Sequence, residues 1–297
     1  MAAVRELEYR PHLLAQGLRS QRTHSIGFTL SDISNPVLAE VVTGAERRLR
    51  VAGYSLLLTD AEGNAELDAS AIVLLEQRRV DGYLLSLADE HQAKTAEVLR
   101  QLDVPMVLLD RDLPAGVTAA RVCFDHRAGM GAAVEHLLTL GHRRIALITG
   151  GPRRPARQRR AAIEEKLAEH GDGASCSVYE GDFSIDYGSR AATEIIHADP
   201  RSTAIIAAGN MLMHGALRAM HDLGMHVGDE VSFVGCDDVA IAQLHQPPIA
   251  VVRRDNRGLG ERAAELLLAE LETDVQPADI VLPTEFVARP SCGPAQS

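Results

Sequence analysis

From Ser25 onward the chain alternates short apolar runs with longer amphipathic stretches, and this alternation limits the possible folds more than any other feature. The spacing predicts strands at Ile26–Leu30, Tyr54–Leu58, Gly82–Leu85, Met106–Leu109, Arg121–Phe124, Ile145–Thr149, Ser177–Tyr179, Ala204–Ala208, Val231–Val234 and Ile249–Val252. Between most of them it predicts helices, at Val37–Ala52, Ala65–Gln77, His91–Leu102, Ala128–Leu140, Arg157–His170, Tyr187–His197, Met211–Leu223 and Gly258–Leu271. In Ala128–Leu140, for example, Ala132, Ala133, Leu137 and Leu140 recur at helical spacing, and Gly141 follows as a stop. Strands that alternate with helices at this length form βαβ units, whose parallel sheets are covered on both faces. There are too many strands for one lobe. The expected fold is α/β, with two doubly wound parallel-sheet lobes of about five or six strands each.

Length and composition agree with that expectation. A chain of 297 residues has room for roughly two domains. Its 46% hydrophobic and 24% charged content excludes a disordered or collagen-like chain. No apolar run reaches the roughly 18–20 residues that a membrane span needs. The opening stretch MAAVRELEYRPH has no signal-type apolar segment, so a soluble, cytoplasmic chain with no membrane partner is expected. A net charge of −11 argues against a chain that binds nucleic acid through its whole surface. Cys123, Cys176, Cys236 and Cys292 lie far apart with no C-x-x-C pair, which makes structural zinc and a disulfide framework poor explanations. With aromatics at 3% and no Trp, the core is expected to be aliphatic.

The first 24 residues read differently. Met1–Leu7 has the pattern of a helix end, stopped at Tyr9-Arg10-Pro11 because a residue before proline is pushed out of the α region. His12–Arg19 reads as a short second helix with Leu13, Leu14 and Leu18 as its apolar members, and Ser20–His24 as a polar linker. Arg5, Arg10, Arg19 and Arg22 outnumber Glu6 and Glu8 here, so a basic appendage precedes an acidic body.

No catalytic constellation stands out. The chain has no P-loop, no G-x-S-x-G and no H-E-x-x-H, and no trio of nucleophile, base and orienting group can be named, so no enzyme, cofactor or metal is expected. Asp237-Asp238 is no acid/base dyad, because neighbours on an extended chain point in opposite directions. One carboxylate, Asp237, is expected to face a cleft, since α/β sheets bind ligands beyond the C-terminal ends of their strands. Asp238 is expected to cap the next segment. Asp110-Arg111 and Ser86 also follow strand ends and are candidates on the same ground.

Several blocks together carry a resemblance. LEYRPHLLAQGLRSQRTHSIGFTLSDISNP (7–36), VPMVLLDRD (104–112), EHLLTLGHRRIALITGGP (135–152), GALRAMHDLG (215–224), EVSFVGCDD (230–238) and QPPIAVVRRDNRGLGERAAELLLAEL (246–271) follow in order along nearly the whole chain. The sequence resembles the lactose-repressor family of bacterial transcriptional regulators. That resemblance implies a periplasmic-binding-protein-like core of type I, two lobes joined by three crossings, preceded by a short hinge helix. The expected division is 1–24 for the headpiece remnant and hinge, 25–124 with 254–280 for the N-terminal lobe, and 125–253 with 281–297 for the C-terminal lobe. The implied function is a ligand-responsive repressor that acts as a homodimer, binds a sugar-like effector and couples it to operator DNA. A solute-binding protein of a transport system is the alternative.

The resemblance also assigns residues. In the hinge, Leu18 is the minor-groove wedge, Ala15 lines the groove, Gln16 stands where an arginine is common, and Arg19 and Arg22 contact phosphate. Only the end of the family's helix-turn-helix, Met1–Leu7, precedes the hinge. A truncated start is therefore expected, with weak or absent operator binding by this chain alone. In the cleft, Arg159 matches the family's effector-clamping arginine, with Arg157 as its neighbour, while Arg153, Arg154 and Arg160 are expected to be solvated. Three positions depart from the pattern. Gly209-Asn210 stands for an Asn-Asp pair and leaves Asn210 as the polar candidate. Val37-Leu38 replaces aromatic residues and makes Leu38 an apolar wall. Pro155 replaces a small hydroxyl residue. Loss of the Asp237 carboxylate is expected to abolish binding without harming the fold, and loss of Asp238 to cost mainly stability.

Overall fold

The computed structural model describes residues 22–171 and 173–296, so Ala15, Gln16, Leu18 and Arg19 lie outside the described residues. The first stretch runs β1 (Ser25–Leu30), α1 (Pro36–Val51), β2 (Ser55–Asp60), α2 (Ala65–Gln77), β3 (Gly82–Leu85), α3 (Ala93–Arg100), β4 (Met106–Leu109) and β5 (Ala120–Phe124). The chain then crosses into α4 (His126–Thr139), β6 (Arg144–Gly150), α5 (Arg154–His170), β7 (Ser175–Gly181), α6 (Ile185–His197), β8 (Ala204–Ala207), α7 (Asn210–Asp222), β9 (Ser232–Cys236), α8 (Ala240–Leu244) and β10 (Ala250–Arg254). It returns through α9 (Asn256–Thr273) and β11 (Ile280–Leu282), and crosses a last time into β12 (Thr284–Val287).

Two six-stranded sheets result, ordered β11-β5-β4-β3-β1-β2 and β12-β10-β9-β8-β6-β7. Every pairing is parallel except that of β10 with β12. The two orders repeat one topology, with β6 in the place of β1, β8 in that of β3 and β9 in that of β4. This is the two-lobed periplasmic-binding-protein-like architecture, joined by three crossings. Two details of the expected lobe limits are corrected by the pairing. Arg254 ends a strand of the second sheet, and Val281 and Leu282 pair with β5 in the first, so the last crossing falls at Pro283. Strands β11 and β12 and the one-turn α8 were not predicted, because their short, half-exposed runs carry little period.

Local chemistry sets the elements that shape the cleft. Asn35 caps α1 by accepting the Val37 N–H, and Pro36 opens the helix where its missing donor is harmless. Buried Val37, Val41, Ala45 and Leu49 recur at helical spacing along α1 and face the core. Against them lies α9, so close that a Cβ on Gly260 would stand 1.9 Å from the Val41 carbonyl oxygen. Only glycine permits that approach. The core is aliphatic for the most part, but Phe28, Phe124 and Phe233 are also fully buried. At the entry to β1, the Thr23 and His24 N–H groups donate to Asp81, and Arg22 donates to the Leu271 carbonyl at the end of α9. Arg22, expected on phosphate, is thus engaged with the first lobe. No described helix is long and apolar enough to cross a membrane.

Candidate ligand-binding cleft

The C-terminal ends of both sheets face one cavity of about 450 Å³, within the range of small-molecule sites. Asn35, Leu38, Ser86, Asp110 and Arg111 line it from the first lobe. Gly150, Arg153, Arg159, Phe183, Asn210 and Asp237 line it from the second, and Arg254 and Asn256 from the second crossing. All the cleft residues expected from sequence stand on this wall except Arg157.

Asp110 and Asp237 occupy equivalent places in the repeated topology, each one residue beyond a strand, β4 or β9. Both have left-handed backbones, with φ of 52° and 72°. Aspartate tolerates that conformation better than most residues, and such strain tends to gather at functional sites. Both carboxylates are buried and already engaged. Asp237 is held by Arg254, Nε to Oδ1 at 2.7 Å and Nη2 to Oδ2 at 3.0 Å. Asp110 accepts from Arg254 Nη1 at 3.2 Å, Arg154 Nη1 at 3.1 Å and the Phe124 N–H at 3.2 Å, and its Oδ2 lies 2.9 Å from His126 Nε2. Burial opposes ionisation of Asp110, but His126, Arg254 and Arg111 outweigh it and hold the carboxyl well below the usual range. Burial drives the His126 imidazole the other way, down to about 4, against the pull of Asp110. Arg254 also stacks on the Phe124 ring, 5.0 Å from its centroid.

Arg159 is different. It is buried, its Nη1 donates to the Ala208 carbonyl at 2.8 Å, and its Nε has no partner among the described residues. No carboxylate of the described residues pairs with it. Arg111 is fixed by the Leu87 and Asp110 carbonyls. Asn210 donates across the cleft to Asn35 Oδ1 at 2.8 Å.

Four expectations are corrected. Arg157 points away from the cavity and binds Glu90 and Asp112 of the first lobe and the Pro152 carbonyl. Arg153 is not simply solvated but lines the cavity. Arg154 is not solvated either, for its side chain is 14% exposed and pairs with Asp110 and Asp112. Asp238 turns away from the cleft, as the alternation argument requires, but it pairs with Arg289 at 2.7 Å and does not cap α8, whose N-cap is Val239. Arg160 is exposed beside Glu164.

Among the lining residues that the sequence reading did not name, Arg254 and Phe183 matter most. Arg254 ends a strand, so the reasoning that found Asp110 and Asp237 could have found it. Phe183 follows β7 and supplies the aromatic face that Val37-Leu38 lacks. It also accounts for Gly209, since a Cβ there would stand 2.1 Å from the Phe183 ring.

A family profile described as a periplasmic binding protein-like domain matches residues 134–292. The ribose operon repressor of Escherichia coli (strain K12) is 31% identical over 272 residues, which cover 90% of this chain and 81% of the relative. The helix-turn-helix-type transcriptional repressor PurR of Photobacterium profundum is 28% identical over 274 residues, covering 92% and 82%. The solved structure of the lac repressor dimer bound to operator and the anti-inducer ONPF superposes with a TM-score of 0.85 at 27% identity, covering 98% of this chain and 88% of that one.

Proposed function

The chain belongs to the lactose-repressor family of ligand-responsive transcriptional regulators, and on that premise we propose that its cleft binds a sugar-sized effector whose occupancy sets the affinity of a homodimer for operator DNA. The observation that carries the ligand site is the cavity of about 450 Å³ walled by both lobes, with Arg111, Arg159, Asn210 and Asp237 among the residues that line it. Arg159 acts as the clamp, Asn210, Ser86 and Arg111 as further polar contacts, and Leu38 and Phe183 as the apolar walls. Asp110 and Asp237 act mainly through Arg254, whose position they fix.

Coupling follows from the two-lobe geometry. A ligand that touches both walls favours one lobe orientation, and the hinge segment before Ser25 passes the change to the DNA. Couplings of this kind are about 1–3 kcal/mol, or roughly 5–150-fold in operator affinity. The relatives quoted above are named repressors, which favours this reading over a transport protein with a similar cleft; on this reading the protein works in the cytoplasm. A thermal-shift screen of pentoses, hexoses, their phosphates and nucleobases tests it. A stabilising compound whose effect vanishes in Arg159→Gln supports the reading. A screen in which every effect survives that change contradicts it.

A further inference from the structure

Glu90 follows β3 in the first lobe and is buried, yet the second lobe supplies most of what holds its carboxylate. Its Oε1 accepts the Arg154 N–H at 2.6 Å and Arg157 Nη2 at 3.1 Å. From its own lobe, Arg111 Nε stands 3.5 Å from Oε2, and Arg111 is already bonded to the Leu87 and Asp110 carbonyls. The exposed His91 ring lies farther off, at 3.8 Å. The matching need is on the helix. A helix start leaves backbone donors without partners, and at α5 the N-cap Arg153 makes no side-chain cap bond. Pro155 has no N–H to offer, so the Arg154 N–H is the donor to satisfy, and Glu90 satisfies it from the other lobe. A carboxylate there also meets the positive end of the helix dipole.

One turn on, Arg157 reaches back to the first lobe, where it holds Glu90, Asp112 and His91 Nε2. The Arg154 side chain adds Asp110 and Asp112. In the first sheet β3 lies two strands in from β5, so the cluster stands roughly 10 Å from the edge where the chain crosses. A contact set off from the crossings in this way resists opening of the lobes. We propose that Glu90 is a latch, a carboxylate that caps a helix of the opposite lobe and keeps the cleft closed before an effector arrives. Every partner in the cluster belongs to the chain itself, so closure needs no ligand. Opening returns Glu90 and Arg157 to water, which offsets part of the lost pairing and keeps the latch reversible. An effector then meets a cleft whose competent form is already the main one, and its affinity is not lowered by a large open fraction. That consequence rests on the reading of the cleft as the effector site. The latch itself is tested without effector, so the two can fail separately.

The test is small-angle X-ray scattering and amide exchange on the full chain with no compound added. Wild type should scatter as the closed two-lobed form, with slow exchange at 86–92 and 153–157. Glu90→Ala should separate the lobes, raise the radius of gyration and speed exchange in both segments by about tenfold or more, with the sheet cores unchanged. Glu90→Gln keeps an acceptor for the Arg154 N–H but no charge for Arg157, and should fall between the two. Arg157→Ala alters only a half-exposed side chain and should speed exchange several-fold, so it decides the matter if Glu90→Ala does not fold. Arg160→Ala, on the exposed face of the same helix, should match wild type. Separated lobes in unliganded wild type, or Glu90→Ala and Arg157→Ala variants that scatter and exchange as wild type does, would overturn the proposal.

Discussion

Arg254 grips Asp237 with two parallel hydrogen bonds, at 2.7 and 3.0 Å, and extends its remaining nitrogen 3.2 Å to Asp110 in the opposite lobe. One side chain at a crossing thus ties together the equivalent carboxylates of the two lobes. The arrangement keeps both lobes in register at the point where a ligand would sit.

Removing one partner of a buried ion pair leaves an uncompensated charge, which typically costs about 3–5 kcal/mol. Asp237→Ala should therefore destabilise the protein by that order, against a smaller loss of about 1–3 kcal/mol for Asp238→Ala, whose partly buried partner Arg289 keeps its bond to the Ile249 carbonyl. This reverses the order expected from sequence. Chemical denaturation of both variants, and of Asp237→Ala combined with Arg254→Met, measures it. The double variant should recover part of the loss, and an additive loss would show that the pair is not coupled.

Gly209 and Phe183 form a steric pair. An alanine Cβ at 209 would lie 2.1 Å from the ring, so Gly209→Ala must displace Phe183, at a cost of about 1–3 kcal/mol. Combining it with Phe183→Leu should restore stability without restoring the aromatic wall. Thermal unfolding reads the first effect and ligand titration the second. Equal stability of Gly209→Ala and wild type would show that the ring moves freely.

Acid stability should reveal two buried groups that oppose each other. Burial lowers His126 from 6.5 to about 4, so within that window the unfolded chain binds a proton that the folded chain refuses, and stability falls as pH drops. Burial raises Asp68 from 3.8 to about 6, against the Ala88 and Asp89 N–H bonds, so its contribution is complete below about 4 and is lost as pH rises through about 6. At about 1.4 kcal/mol per unit, each is of order 3 kcal/mol. His126→Gln should therefore grow more stable on acidification from pH 6.5 to 4 relative to wild type, and Asp68→Asn less stable. Slopes of the same sign in both variants would contradict these assignments.

Much of this was legible in the chain because parallel strands announce themselves. Apolar runs such as Met106–Leu109 are buried on both faces, and the polar residue that follows each, Asp110 here, lies at the ligand-binding end by topology alone. What a side chain does there depends on partners that spacing does not reveal. Arg254 meets Asp237 from 17 residues away and Asp110 from 144. Arg157 and Arg154 lie in one basic run, yet only the fold shows that both reach acids of the other lobe. Phe183 was hidden because its role depends on the bare backbone of Gly209, 26 residues away in the same lobe.

The central claim is that one ligand is held between the two lobes, and hydrogen exchange with and without a stabilising compound tests it most directly. Bound ligand should slow amide exchange on both walls at once, at 31–41 and 86–88 in the first lobe and at 150–156 and 208–213 in the second, with the sheet cores unchanged. Protection confined to one lobe, or found away from these segments, would contradict a ligand held between the lobes.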